Sequence, residues 1–215
     1  MKLIVVPKSR VKLIIFLGII MFGFNTVSNA QGFTVKSLVG YRVAGNVNTP
    51  SGIIMPRESF NWQGVAGYEL GNGLSITASY LSSPSSYKFR PNPHSNWTKL
   101  GNMRIRHIMA GVTYTHTAPF PAILPFGGIR VGGVSFDSST PAFESTTKFA
   151  VSLEGGVKIP FSPRFGIVTQ IDIFSPLMFS SSNLFESNLR EYNFEAGSGI
   201  FPQFALNSGL YFNFY

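Results

Sequence analysis

The sequence predicts an all-β protein, a transmembrane antiparallel up-and-down β-barrel of eight strands behind a cleaved N-terminal signal peptide. Three observations predict this fold. Only 12% of the 215 residues are charged, about half the share of roughly 25% that is usual in a soluble domain. Apolar and polar residues alternate along eight segments, as in strands with one face toward lipid. After residue 24 no apolar stretch is long enough to cross a membrane as a helix. A closed β-barrel is the other structure in which all backbone hydrogen bonds can be made inside a bilayer.

The N-terminal residues are typical of a secretory signal. Lys2, Lys8, Arg10 and Lys12 precede an uncharged apolar run over residues 13–24, which is shorter than the roughly 20 residues of a spanning anchor, the alternative interpretation. Small residues then lead to a cleavage site between Ala30 and Gln31. We therefore expect residues 1–30 to be a signal peptide and residues 31–215 to form one barrel domain.

Removing the signal changes what the composition implies. The mature chain keeps 13 of the 17 basic residues against 9 acidic ones, a charge of +4 instead of +8, so nucleic acid is not an expected partner. Cysteine is absent from the sequence, which excludes a disulfide and a lipidated cysteine.

The first three strand segments are 35–47, 60–70 and 74–80. Val39 and Tyr41 alternate with Gly40 and Arg42 in the first segment, and the same period of two continues through the others. The second and third are joined by Gly71-Asn72-Gly73, a tight-hairpin signal because Asn and Gly accept positive φ.

The next four segments are 103–116, 126–136, 148–159 and 164–174. The fourth segment aligns apolar residues from Ile108 to Tyr114, but its alternation fails over residues 104–107, where we expect a bulge or an exit from the membrane. A Pro-rich turn leads to the fifth. The last two of these alternate most clearly, with charge on one face only, which excludes an amphipathic helix.

The connections between segments set the orientation. Short ones of about three, eight and four residues alternate with long ones over 48–59, 82–102, 137–147 and 175–202, as periplasmic turns alternate with external loops in outer-membrane barrels. A further hairpin within 175–202 would make ten strands.

With the orientation set by these connections, the outward aromatic residues form two girdles. The periplasmic girdle contains Tyr68, Tyr114, Phe165 and Phe214, and the external one contains Trp62, Tyr80, Phe149, Phe174 and Phe204.

The eighth segment, 204–214, carries aromatic residues on one side and is expected to close the sheet against 35–47. Together with the signal peptide, the eight segments and the Pro-Phe-Ser-Pro turn at 160–163, it resembles the small outer-membrane β-barrel family of the OmpA membrane domain and OmpX. The resemblance implies an integral, monomeric protein of the Gram-negative outer membrane. It also implies recognition by the barrel assembly machinery through Leu210, Phe212, Phe214 and Tyr215.

Six charged residues have the inward phase, three of each sign. An eight-stranded barrel is just wide enough inside for side chains, so we expect them to form a paired polar plug; a narrow channel or a ligand cavity is the alternative. These residues are Arg42, Glu69, Arg130, Glu154, Lys158 and Asp172.

Five basic residues cluster in and beside the second long connection, in a region where no Asp or Glu lies between Leu70 and Phe136. Arg and Lys bind phosphates well, so this strip is a candidate contact for lipopolysaccharide, against the alternative of a solvated basic loop. The strip comprises Lys88, Arg90, Lys99, Arg104 and Arg106.

The sequence does not favour catalysis. His94, His107 and His116 are too dispersed to nominate a base with its orienting acid, and the Gly pairs precede no helix that could hold a phosphate. We expect no enzyme activity, cofactor or metal. The expected function is a structural or surface-interaction role through the external loops; the alternatives are a small transporter or channel and, less favoured, a lipid-modifying enzyme.

Overall fold

The computed structural model describes residues 32–49, 52–91, 94–116, 122–138, 145–177 and 202–214. None of these residues forms a helix long and apolar enough to cross a membrane. The predicted signal peptide lies outside the described residues. The strands are β1 (Gly32–Ala44), β2 (Val47–Thr49), β3 (Gly52–Pro56), β4 (Ser59–Gly71), β5 (Leu74–Arg90), β6 (Thr98–Thr115), β7 (Leu124–Ser138), β8 (Thr146–Pro160), β9 (Phe165–Pro176) and β10 (Gln203–Phe214).

Eight of these strands close into an antiparallel barrel in the order β1, β4, β5, β6, β7, β8, β9, β10 and back to β1. The last strand pairs with the first from Phe33↔Phe214 to Ala44↔Gln203, which confirms the predicted closure and leaves no free edge in the wall. Since β9 and β10 pair directly, the wall has eight strands and the ten-strand alternative is wrong for it. Residues 178–201, where the further hairpin was considered, lie outside the described residues.

Side chains alternate between the lumen and the outer surface along each wall strand. The outward residues are mostly large and apolar, for example Ile108, Leu153 and Leu206, which are 67%, 53% and 57% exposed. Such a continuous apolar surface needs a nonaqueous environment. The predicted outward aromatic residues are exposed with one exception: Phe174 is buried in the lumen, because the outward phase of β9 belongs to Ile173.

Two tight turns mark one end of the barrel, here called the turn end. In the first, Gly71, Asn72 and Gly73 all have positive φ (103°, 52° and 79°), as predicted for an Asn-Gly hairpin. In the second, the Ser162 hydroxyl oxygen accepts hydrogen bonds from the amides of Arg164 and Phe165, at 3.3 and 3.2 Å. The opposite end, here called the loop end, carries the longer connections.

The first two long connections are more ordered than the sequence predicts. Residues 48–59 include most of a β2–β3 hairpin, and β5 and β6 extend to Arg90 and from Thr98 through the predicted loop 82–102. Pairing of β4 with β5 ends at Trp62↔Ser82, and β3 then takes over the β5 edge from Pro56↔Tyr87 to Ile53↔Arg90. Because the backbone of β5 finds this second partner, the strand continues beyond the barrel.

The bulge predicted over residues 104–107 is wrong. Pairing of β6 with β5 and with β7 runs without a register shift from Met103 to Tyr114, and the irregularity lies between Tyr87 and Lys88. The alternation in fact continues with unexpected polarity, since Ile105 and His107 point inward and are buried. Arg104 and Arg106 face outward here while Ile105 faces the lumen. This reverses the usual polarity of the two faces, so the sequence pattern resembled an interruption of the strand.

Candidate functional site

One cation lies between two carboxylates in the middle of the lumen. Arg130 on β7 is fully buried; its Nη2 contacts the carboxylate of Glu154, and its Nη1 lies 3.4 Å from Oδ1 of Asp172. Glu154 and Asp172 are direct cross-strand partners on β8 and β9. Two adjacent carboxylates repel each other, and Arg130 lies between them as their shared cation.

Neutral groups complete this charge cluster. Oδ2 of Asp172 accepts hydrogen bonds from the amides of Gln170 (2.8 Å) and Asn207 (2.9 Å), and the Thr113 hydroxyl donates to Glu154. Gly128, opposite Glu154 in the register, provides space: a Cβ there would lie 2.8 Å from Oε1 of Glu154 and 2.5 Å from a backbone oxygen. We call Arg130, Glu154, Asp172, Gln170 and Asn207 the central network.

The other three predicted lumen charges lie apart from the central network. Arg42 is buried and donates to Oε1 of Gln203 at 2.9 Å and to the Ser83 hydroxyl at 3.2 Å. Lys158 is buried and donates to the Thr115 hydroxyl at 3.2 Å. Glu69 is half-buried near the turn end and accepts from the Thr34 hydroxyl at 3.1 Å.

Lys36 is a lumen cation that is not among the six predicted inward charges. It is 3% exposed, and its ammonium lies 4.2 Å from the centre of the Phe126 ring. Its phase, two residues before Leu38 and six before Arg42, places it inward. The alternation of the first segment is therefore sufficient to predict its position.

The interior near the loop end, from β7 to the extension of β5 beyond the barrel wall, is apolar, whereas a polar plug was expected. Buried there are Tyr87, Phe89, Met103, Ile105 and Phe136. Burial raises the pKa of Tyr87, which lies in the extension of β5 beyond the barrel, well above its ordinary value. His107 packs on Phe174 with ring centres 4.4 Å apart.

A groove of about 780 Å³ lies at the loop end, where residues 57 and 58 and the start of β4 face parts of β5 and β6 and the end of β7. Basic residues outnumber acidic ones four to two in its lining, and Arg106 Nε lies 3.3 Å from Asp137 Oδ2. We call it the basic groove. Its charged lining residues are Arg57, Glu58, Lys99, Arg104, Arg106 and Asp137, beside aromatic Tyr41 and Phe60.

The basic groove gathers three of the five residues of the predicted strip. Lys88 and Arg90 do not line it; the Arg90 guanidinium instead lies 4.7 Å from the Trp97 ring centre. Arg57 was missed because it lies in a different connection, and only the pairing of β3 with β5 brings the two connections together.

Other predicted site residues lie in separate places. Leu210, Phe212 and Phe214 are exposed on the outer surface of β10, while Tyr215, Ala30 and Gln31 lie outside the described residues. His94 and His116 are exposed and His107 is buried, so the three histidines do not share a site. Among the described residues, no group of three His, Asp or Glu side chains converges as a metal site would require.

Comparison with known proteins gives matches in structure alone. No protein-family model matches the chain, and no curated protein matches it in sequence. The chain is similar in structure to outer membrane protein OprG from Pseudomonas aeruginosa, with a TM-score of 0.61 and 10% identity over 86% of this chain and 97% of that one. It is also similar to Neisserial surface protein A, with a TM-score of 0.55 and 15% identity over 84% and 96%. The fold is therefore that of small outer-membrane β-barrels.

Proposed function

We propose that this chain is an integral outer-membrane protein whose lumen is plugged by side chains and whose function is carried by its loop-end surface, where the basic groove binds the phosphates of lipopolysaccharide. The observation that carries this proposal is the groove itself. Two connections far apart in sequence meet through β3–β5 pairing and bring Arg57 beside Lys99 and Arg104.

The chemistry of the groove suits a phosphorylated glycolipid. Guanidinium groups form paired, charge-assisted hydrogen bonds with phosphate, and Tyr41 and Phe60 in the lining offer apolar surface for acyl chains or sugar faces. Both aromatic residues have the outward phase of the wall strands. A lipid seated against the wall could therefore place its phosphates in the groove.

The filled interior of the barrel favours a function carried by its outer surface. Arg130, Glu154 and Asp172 fill the centre of the barrel and are fully buried or nearly so, and eight-stranded barrels have interiors just wide enough for such side chains. A plugged lumen disfavours the channel alternative. A lipid-modifying enzyme would need an exposed nucleophile or base with its orienting group, and the histidines are dispersed.

Binding of purified lipopolysaccharide to the refolded protein in nanodiscs tests the proposal. We expect Lys99→Gln/Arg104→Gln to bind roughly tenfold more weakly, because two exposed ion pairs are worth about 1–2 kcal/mol together. The matched control is Lys88→Gln/Arg90→Gln, which removes two charges from the neighbouring β5 extension, outside the groove, and should bind like wild type.

Two further binding measurements test whether the phosphates are what the groove recognises. Dephosphorylated lipopolysaccharide should bind wild type at least as weakly as intact lipopolysaccharide binds the groove variant, because Arg57 and Arg106 remain in that variant. Raising the salt concentration should reduce only the phosphate-dependent part of the binding. Equal losses in the groove and control variants would indicate nonspecific charge attraction and contradict the groove.

A further inference from the structure

A small cavity lies inside the barrel between the central network and the turn end. Its volume is about 10 Å³, which is room for about one water-sized particle. Two lysines on different strands, Lys36 on β1 and Lys158 on β8, line it. The remainder of its lining is mostly hydroxyl groups and small or apolar residues: Thr34, Ser75, Thr77, Thr113, Val65 and Gly67.

The buried carboxylates of the lumen have partners of their own. Glu154 is held by Arg130 and Thr113, and Asp172 by Arg130 and two amides. These contacts occupy the two central carboxylates. Glu69, nearer the turn end, accepts a hydrogen bond from Thr34 and attracts the Lys158 ammonium, so Lys36 is the cavity cation without a carboxylate of its own among the described residues.

Lys36 has weaker partners than either carboxylate or Lys158. Among the described residues, the Lys36 ammonium has no hydrogen-bond acceptor, although it lies above the Phe126 ring. Lys158 lies 5.8 Å from the centre of the same ring and donates to Thr115. The charges of Lys158 and Arg130 repel the Lys36 ammonium, while Asp172 attracts it. A buried ammonium with three donors and no acceptor is costly, and this one shares its surroundings with a second cation.

We infer that this cavity is a binding site for a small inorganic anion of halide size, with Lys36 and Lys158 as its ligands. The ion would accept hydrogen bonds from both ammonium groups and screen their mutual repulsion. Lysine reaches the cavity on a flexible four-carbon stem, so the ligands can adjust to an ion slightly wider than water. Larger oxyanions such as sulfate do not fit a space of this size. This inference goes beyond the proposed groove function and does not depend on it.

Heat unfolding in matched salts tests the site. For wild type in detergent, we expect the unfolding midpoint to be about 3 °C higher in sodium chloride or bromide than in gluconate at equal ionic strength, because an ion that binds only the folded state stabilises it. Lys36→Met and Lys158→Met should each abolish this difference. The control Lys148→Met, which removes a lysine near the loop end of the same strand as Lys158, should retain it.

Crystals of the wild type grown in bromide give a second, independent measurement. We expect an anomalous peak between the two ammonium nitrogens. Because this measurement uses the wild type, it does not require either lysine variant to fold. Equal midpoints in halide and gluconate together with the absence of an anomalous peak would show that water alone fills the cavity and would overturn the inference. An undiminished halide effect in a folded Lys36→Met variant would overturn it as well.

Discussion

Arg130 and Lys36 are both buried lumen cations, and they have opposite surroundings. Arg130 contacts two carboxylates and a serine hydroxyl, whereas Lys36 lies over an aromatic ring beside a small cavity. The planar guanidinium can bridge two acceptors at once, while an ammonium is a compact point charge. The centre of the lumen is filled by matched charges, whereas the turn end holds a cation that has no hydrogen-bond acceptor among the described residues.

Removing the central cation should have the largest effect. Arg130→Met leaves Glu154 and Asp172 buried side by side without compensation, so we expect the free energy of unfolding to fall by about 3–5 kcal/mol. Urea unfolding in lipid vesicles measures it. Arg42→Met is the matched control: its partners Gln203 and Ser83 are neutral, so its loss should be smaller, about 1–3 kcal/mol. Equal losses would mean that pairing with carboxylates is not what distinguishes Arg130.

Removing the charges together should recover part of that loss. In Arg130→Met/Glu154→Gln only Asp172 remains charged, with the amides of Gln170 and Asn207 still donating to it. We expect this double variant to be more stable than Arg130→Met by about 1–3 kcal/mol, a coupling measured by a double-mutant cycle. Additive losses from the two changes would contradict direct coupling between Arg130 and Glu154.

Filling the space opposite Glu154 should have an intermediate effect. In Gly128→Ala the new methyl group would lie 2.5 Å from the Val112 carbonyl oxygen, so the strands must shift, at a cost of about 1–3 kcal/mol. Gly155→Ala is the control, because nothing lies within 4 Å of a Cβ at that position. Comparable unfolding free energies for the two variants would show that Gly128 does not provide needed space.

Removing the turn-end cation should have the smallest effect. In gluconate, Lys36→Met should change the free energy of unfolding by less than about 1 kcal/mol, or raise it, because a costly unpaired charge is replaced by an apolar side chain of similar length. Urea unfolding under the conditions used for Arg130→Met gives the comparison. A loss as large as that of Arg130→Met would show that Lys36 has a strong partner.

The period of two and the turn residues were sufficient to predict the barrel. Alternation predicted the outward aromatic residues of the wall strands except Phe174, which is buried, and Asn72 between two glycines predicted a hairpin with positive φ values, as observed. The ends of β5 and β6 were not predictable in the same way. Their extension depends on a tertiary partner, β3, which is separated from β5 in sequence by the whole of β4.

The inward phase of six lumen charges was predictable, but Lys36, the groove residue Arg57 and the pairing of the charges were not predicted. Phase alone places Arg42, Arg130 and Lys158 inside, but which of them meets a carboxylate depends on the register between strands, such as Glu154 opposite Asp172. The inward apolar residues Met103 and Ile105 show a second limit. An eight-stranded lumen can be packed with apolar side chains, so polarity does not identify the inner face there.

Current through a planar bilayer tests the central claim, that side chains close the lumen and leave function to the loop-end surface. Wild type reconstituted at single-molecule dilution should give no steady conductance, because Arg130 and its two carboxylates occupy the centre of the barrel. Inserted protein is verified by its heat-dependent migration on detergent gels. A steady ohmic current from wild type, reproducible across insertions, would contradict the claim and favour a channel.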